Sequence, residues 1–345
     1  MAYSLPPGLR RIWLPTLILN GLILILLSIS HDYQGIESSV SDFDEVIVGP
    51  EVIVVYSGPT ILVDLNMSKA RPSYPQSNNV KYHLNTAYFL KYGVQCKTQD
   101  TLIVLTNETL PLYRSQINDL DSHCNSHYKH RVLVTTRNPS CYDLGSVYFA
   151  VSDGIVNITR YAYFIFINCG VTGPAKELAN IPWTKLFLDK LRGRVKMTGL
   201  SHNCFHPRPH IQSMMFALDQ EALQLVIRGG AIFDCLQKWP DFNTLGSNYA
   251  KNLIVINYEI AMSRIILSSG FGFDPFLRPQ VIFQENKSHC FGNDVWLGGN
   301  LKKLYNGRIP FLNETVFFKS TRYLSPDLAK EIGFNLPILY NWGRR

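Results

Sequence analysis

The sequence predicts an α/β protein with a mostly parallel central sheet flanked by helices. Three observations carry that expectation. Short apolar runs recur at Val52–Tyr56, Leu102–Leu105, Arg131–Thr135 and Tyr163–Ile167, without the alternation of a half-exposed strand, as strands buried on both faces read. Segments with helical spacing separate them, giving the order β-α-β-α-β-α-β. The composition, 46% hydrophobic and 17% charged over 345 residues, supplies a core and argues against disorder.

The elements follow in order. Arg10 and Arg11 precede an apolar stretch from Ile12 to Ile29. At ~1.5 Å per residue it reaches roughly 27 Å, enough for a bilayer of the secretory pathway. Residues 1–11 then read as a cytoplasmic tail, 12–29 as a transmembrane signal anchor and 30–45 as a polar stem. A cleaved signal peptide is the competing reading, because Ser28 and Ser30 suit a cleavage site. The body, 46–345, would be lumenal, in a single-pass type II protein of the Golgi or endoplasmic reticulum membrane. Seven cysteines and five Asn-X-Ser/Thr acceptors (Asn66, Asn107, Asn157, Asn286, Asn313) agree with that compartment. Cys96–Cys124 and Cys204–Cys290 are plausible disulfides.

Strand signals begin at Val46–Val48 and Val52–Tyr56, the latter stopped by Gly58-Pro59. Arg71 to Asn79, rich in Pro, Ser and Asn, reads as a loop. Tyr82 to Tyr92 reads as a helix ending at Gly93, Leu110 to Leu120 as a second, and Tyr142 to Val151 as a third by its place in the order. Beyond the fourth strand, Trp183 to Leu191 looks helical and Val195 to Gly199 extended. His202 to His210 is a loop by its His, Pro and Asn content. Met214–Leu218 is a strand, and Asp219 caps a helix that ends at Gly229-Gly230. Leu253 to Ser269 is the longest helical pattern, and Thr315–Phe318 a late aromatic strand.

The fourth strand carries the most information. Its run Phe164-Ile165-Phe166-Ile167 stops at Asn168-Cys169-Gly170, so a buried strand delivers a polar tip to the carboxyl edge of the sheet, where ligands bind in open α/β folds. No dinucleotide fingerprint, Walker loop, Cys-x-x-Cys pair or nucleophile elbow occurs, which sets aside the enzymes that need them. The net charge of +7 is dispersed, so a nucleic-acid partner is not expected. His202, His206 and His210 have the spacing of helix-borne zinc ligands, but Pro207 and Pro209 forbid a regular helix there. Glu259 interrupts an apolar helical stretch, where a carboxylate is costly unless it is paired, for instance with Arg264, or functional.

The segment Asn138-Pro-Ser-Cys-Tyr-Asp143-Leu-Gly145, followed by Tyr161 to Pro174, resembles glycosyltransferases related to the rhamnan-synthesis-protein-F group. Those proteins carry an Asn…Asp-x-Gly segment and then a strand ending in Asn-x-Ser/Gly-Val-x-Gly-Pro. The similarity continues in order through Lys196 to Ser201, through His210-Ile-Gln212-Ser213, through Tyr258-Glu259…Ser263, and through Glu314…Lys319…Arg322. It spans about residues 80 to 324. The resemblance implies a GT-A-like nucleotide-diphospho-sugar transferase fold, with a donor half of about 46–174 and an acceptor half of about 175–345.

It also implies roles. Asn138, Asp143, Gly145, Asn168, Gly170 and Gly173 would bind a nucleotide-sugar donor. His210, Gln212 and Ser213 would orient the sugar or a glycan acceptor. Lys319 and Arg322 would neutralise the diphosphate, and Glu259 would be the base for direct displacement. The family's strand tip usually clamps Mn2+ or Mg2+ with acids; here Asn168 stands in place of the acid and brings no charge. The competing expectation is a non-catalytic glycan-binding or scaffolding relative. A glycan on Asn313, beside Glu314, would crowd any ligand at that position.

Overall fold

The computed structural model describes residues 51–60, 74–128, 130–139, 142–152, 154–174, 181–205, 208–232, 234, 252–277 and 316–319. Five βα-type elements open the fold: β1 (Val52–Ser57), α1 (Tyr74–Tyr92), β2 (Asp100–Leu105), α2 (Leu110–His127) and β3 (Val132–Thr136). Helix α3 (Leu144–Val151) leads to β4 (Tyr163–Asn168), and a two-residue strand β5 (Val171–Thr172) follows at once. The β-α-β-α-β-α-β order expected from the apolar runs is present.

The second half contains α4 (Trp183–Leu188), β6 (Val195–Phe205), β7 (Arg208–Ile211), β8 (Met215–Asp219), α5 (Gln220–Arg228), α6 (Ile260–Ser268), β9 (Gly272–Leu277) and β10 (Phe318–Lys319). Among the described residues, one sheet runs β3-β2-β1-β4-β8-β6-β7, with β9 on β6, while β10 pairs with β5. Strands β3, β2, β1 and β4 are parallel. Strand β8 runs antiparallel to both β4 and β6. The sheet is therefore mixed, with the direction changing immediately after β4.

Side-chain alternation along β1 builds the two layers. Val52, Val54 and Tyr56 join Ile103, Leu105, Ile165 and Ile167 on one face, beneath Phe89 of α1, Tyr113 and Ile117 of α2, and Trp183 and Phe187 of α4. Ile53 and Val55 join Leu102, Val104, Phe164 and Phe166 on the other, beneath α3, α5 and α6. Each such buried side chain contributes about 1.5–3 kcal/mol. Covering both faces is what makes these strands apolar throughout.

Several boundaries differ from expectation. Helix α1 begins at Tyr74, inside the stretch read as a loop, with Pro75 in its first turn, where a missing N–H costs nothing. Within the stretch from His202 to His210 the described residues are strand rather than loop: β6 and β7 pair antiparallel with Cys204 opposite Pro209, and β7 ends the strand order, a position that tolerates Pro. Helix α4 stops at Leu188 rather than Leu191. The long helical pattern is interrupted by a π-turn over Val255–Glu259 before α6. Asp219 caps α5 through Ala222 N–H (2.8 Å), and Gly229 follows its last residue, as expected.

Cys96 and Cys124 form a disulfide. Residues 12–29, Val46–Val48, Cys290, Glu314 and Arg322 lie outside the described residues, as do Asn66, Asn286 and Asn313. Among the described residues no helix is long and apolar enough to cross a membrane.

Candidate functional site

Strands β1, β2 and β3 step outward in one direction, and β4 then returns to the other side of β1. The boundary between β1 and β4 is thus a topological switch point. Loops leaving the carboxyl ends of two such strands diverge and open a crevice. The register pairs the last residues of the two strands, Ser57 with Asn168, at its mouth.

Asn168 is held on all sides. Its backbone N–H bonds the Met214 carbonyl (3.0 Å), its Oδ1 accepts from Gly170 N–H (2.9 Å) and its Nδ2 donates to Asp143 Oδ2 (2.5 Å). Asp143 stands immediately before α3, and Tyr142 ahead of it has φ 48°. A left-handed aromatic residue costs about 1–3 kcal/mol, and here that bend delivers the carboxylate to the strand tip. Gly145, in the first turn of α3, is buried.

Beneath this pair lies a polar chain that the sequence did not advertise. Ser146 Oγ donates to Ser57 Oγ (2.7 Å), and Arg137 Nη2 donates to the same oxygen (3.3 Å). Arg137 follows the last residue of β3 and is 5% exposed. Its Nη1 reaches the Asn138 carbonyl (3.3 Å), while its Nε has no partner. Burial holds the guanidinium below its ordinary pKa, opposed by the nearby Asp143. Cys169, a free thiol, is pushed up to about 12 by burial and stays protonated.

A cavity of about 10 Å³, room for about one water, joins the two halves of the molecule. Ser57, Asp143, Ser146 and Asn168 line it together with Ser213, Phe166 and Phe216. Ser213 is held from behind: its N–H (3.0 Å) and its hydroxyl both donate to Glu259 Oε2. Glu259 Oε1 faces His210 Nε2 at 3.5 Å. Burial pushes the Glu259 carboxyl up, but the bonds from His210 and Ser213 outweigh it, and the net direction is down. One turn along the helix, Ser263 Oγ accepts from Ile211 N–H (3.0 Å). Glu259 and Ser263, four residues apart, share one helix face, and together they fix the segment from His210 to Ser213. Glu259 pairs with this segment, not with Arg264.

Helix α1 braces the strand tip from the other side. Asn85 Nδ2 donates to the Cys169 carbonyl (2.7 Å) and its Oδ1 accepts from Thr172 Oγ1 (2.7 Å), while Tyr88 OH reaches the Pro174 carbonyl (3.2 Å). Gly173, at φ 153°, passes so close to Phe317 that a Cβ would sit 2.5 Å from its ring. Lys319 pairs its backbone with Val171.

The structure therefore gathers Asp143, Asn168 and Ser213 around one cavity, with Gly170 bonded to Asn168 and with Glu259 and His210 behind Ser213. Gln212, 7% exposed, accepts from Ser201 Oγ (2.5 Å) inside the hairpin. Asn138 is exposed at the rim. Gly173 packs against Phe317 and serves the loop's shape. Sequence reasoning missed Arg137, Ser57, Ser146 and Asn85; a cation closing the run Val132–Thr136 was the available signal.

The metal that the resemblance implies finds a poor fit. Asn168 spends its carbonyl on Gly170 and its amino group on Asp143, so only Asp143 brings charge. A hard divalent cation takes about six oxygens or more, and among the described residues no cluster of three or more His, Cys, Asp or Glu could hold one.

No family model matches the sequence, and no curated protein matches it. Among solved structures the chain is similar to the mannosyltransferase PcManGT from Pyrobaculum calidifontis, in complex with GDP-Man and Mn2+. Identity there is 11% over 73% of this chain and 63% of that one, less than two thirds of its length, at TM-score 0.34. It is similar to apo mouse xyloside xylosyltransferase 1 (9% identity, 65% and 84% of the two chains, TM-score 0.34). A glycosyltransferase involved in glycosylating the major capsid of PBCV-1 gives 9%, 81% and 98%, also at TM-score 0.34.

Proposed function

We propose that this chain is a nucleotide-sugar-dependent glycosyltransferase with a GT-A-like fold. The observation that carries the reading is the switch point between β1 and β4, where Asp143 and Asn168 share a cavity wall with Ser213. The order of the sequence segments from Asn138 to Arg322 supports the same reading. The cavity itself holds about one water, so a donor lies outside the strand ends, above it. Asp143 keeps one oxygen to accept from a ribose or sugar hydroxyl, with Asn138, Gly170 and Gly173 in the loops around it and Gly145 in the first turn of α3 behind it.

In the proposed step an acceptor hydroxyl oxygen attacks the anomeric carbon, and the bond from that carbon to the diphosphate breaks with its electron pair leaving on the diphosphate. The hydroxyl proton passes to Ser213 Oγ as the Ser213 proton passes to Glu259 Oε2. The bonds from His210 and Ser213 keep Glu259 ionised, as the relay requires, and the same lowering makes it a weaker base than a free carboxylate. His210 steadies its other oxygen, Gln212 holds the hairpin, and Lys319 and Arg322 offset charge on the leaving diphosphate. Direct displacement inverts the anomeric centre. No step is routed through a metal.

Calorimetry with a panel of uridine, guanosine and cytidine diphosphate sugars, with and without Mn2+, tests the reading. At least one donor is expected to bind, and Glu259→Gln is expected to fold normally and transfer sugar from that donor more than about tenfold slower. Failure of every donor to bind would sink the enzyme and favour the scaffolding relative, which the neutral, fully bonded Asn168 otherwise suits. Near-wild-type turnover in Glu259→Gln would remove the relay.

The same proposal places the body in the secretory lumen, behind residues 12–29. Asn107 and Asn157 are exposed, and Asn157 Oδ1 accepts from Thr159 N–H (3.0 Å) and Oγ1 (2.7 Å). Glycopeptide mapping of the chain from secretory-pathway expression is expected to find a glycan on both; bare asparagines at both would overturn the placement.

A further inference from the structure

We infer that Arg137 is an anion-binding subsite for a phosphate of the donor, a role that rests on the nucleotide-sugar reading. Its guanidinium is buried at the switch point, 5% exposed, and the carboxylate that acts on it, Asp143, does so through space without a direct bond. Two of its nitrogens make long bonds of 3.3 Å to neutral oxygens, Ser57 Oγ and the Asn138 carbonyl, and the third has no partner. A buried cation held only by long bonds to neutral oxygens and by the field of Asp143 is a liability for folding, since no direct ion pair offsets the cost of desolvating it.

The surroundings say what would complete it. Ser57 Oγ already accepts from Ser146 and Arg137, so its own hydroxyl proton is left to donate. A guanidinium and a hydroxyl, both donors, sit at the carboxyl edge of parallel strands, the Ser57 hydroxyl in the wall of the cavity that Asp143 and Asn168 also line and Arg137 bonded to it. That donor set fits the oxygens of a phosphate, for which planar guanidinium groups are suited. It also answers the electrostatic problem raised at the strand tip. Where Asn168 brings no acid to hold a metal, fixed positive charge from the protein takes the diphosphate's charge. Arg137 is a binding residue in this account and takes no part in proton transfer.

The test measures binding of nucleoside diphosphate, of the parent nucleoside and of inorganic pyrophosphate to the full chain, in wild type and in Arg137→Met. Arg137→Lys, which keeps the charge, guards against a variant that fails to fold. The expected result is a loss of roughly tenfold or more in diphosphate and pyrophosphate affinity in Arg137→Met, with nucleoside affinity unchanged and a smaller loss in Arg137→Lys. Thermal midpoint should hold in Arg137→Met, because the desolvation cost of the guanidinium is removed along with its attraction to Asp143. Equal diphosphate binding by wild type and both variants overturns the subsite and leaves the glycosyltransferase reading standing. Pyrophosphate binding that depends on Arg137, with no nucleotide bound by wild type, supports the subsite and sinks that reading. A thermal midpoint that falls in both variants, with pyrophosphate giving wild type no protection, makes Arg137 a structural residue and overturns the proposal.

Discussion

At the amino end of the parallel strands, Asp100 opens β2 with no exposed surface, and its carboxylate is crowded with donors. Tyr161 OH (2.7 Å), Arg131 N–H (3.0 Å) and His130 Nδ1 (3.1 Å) all reach it, and Arg131 and Arg160 stand 3.9 Å away. At the carboxyl end, Arg137 is nearly as buried and has two long bonds and an orphaned nitrogen. The two ends of one sheet thus treat buried charge in opposite ways. The first cluster ties the starts of β2, β3 and β4 together and is complete without a ligand. The second is finished only from outside, which is how a site differs from a staple.

That contrast can be broken by mutation. Asp100→Ala leaves the buried Tyr161 hydroxyl and two part-buried donors without an acceptor and should cost about 1–3 kcal/mol, read from urea midpoints. Arg137→Met, measured the same way, should cost nothing. If both variants lose stability equally, the distinction between the two ends is lost.

A buried titratable group at neither end sharpens the comparison. His202, 2% exposed against Phe273, is held down to about 4 by burial and by the neighbouring His210. The native state then keeps it neutral while the unfolded chain protonates near 6.5. Its contribution is fully present above about pH 6.5 and is lost as pH falls toward 4, amounting to roughly 3 kcal/mol at most. His202→Gln should flatten stability against pH in that window. An unchanged slope would mean that His202 is already charged in the native protein.

The sequence made the parallel half legible because its strands are buried on both faces and so read as unbroken apolar runs, with Gly93 and Gly229 marking helix ends. It misplaced the stretch from His202 to His210 because Pro and His dominate its composition, while an edge position tolerates both. Asn168 and Glu259 were visible as polar residues in apolar settings, and Asp143 and Ser213 through the resemblance. Their geometry was not: that Glu259 acts on Ser213, and Ser263 on Ile211, follows from one helix face meeting a strand turn across about fifty residues of chain. Arg137 was overlooked because one cation beside a loop carries no pattern until its burial is known.

The packing of Phe317 on Gly173, and of β10 on β5, has a consequence for biosynthesis. The loop after β4 and the segment that covers it are about 140 residues apart. A ribosome adding about 5–20 residues per second leaves an interval of roughly 7 to 30 seconds between them. Throughout that time the nascent chain has its parallel strands in hand but a bare loop beside its ligand edge. Completion of the site then waits for the segment around residue 317, and a chain that stalls before residue 316 would emerge with a sheet and no finished site.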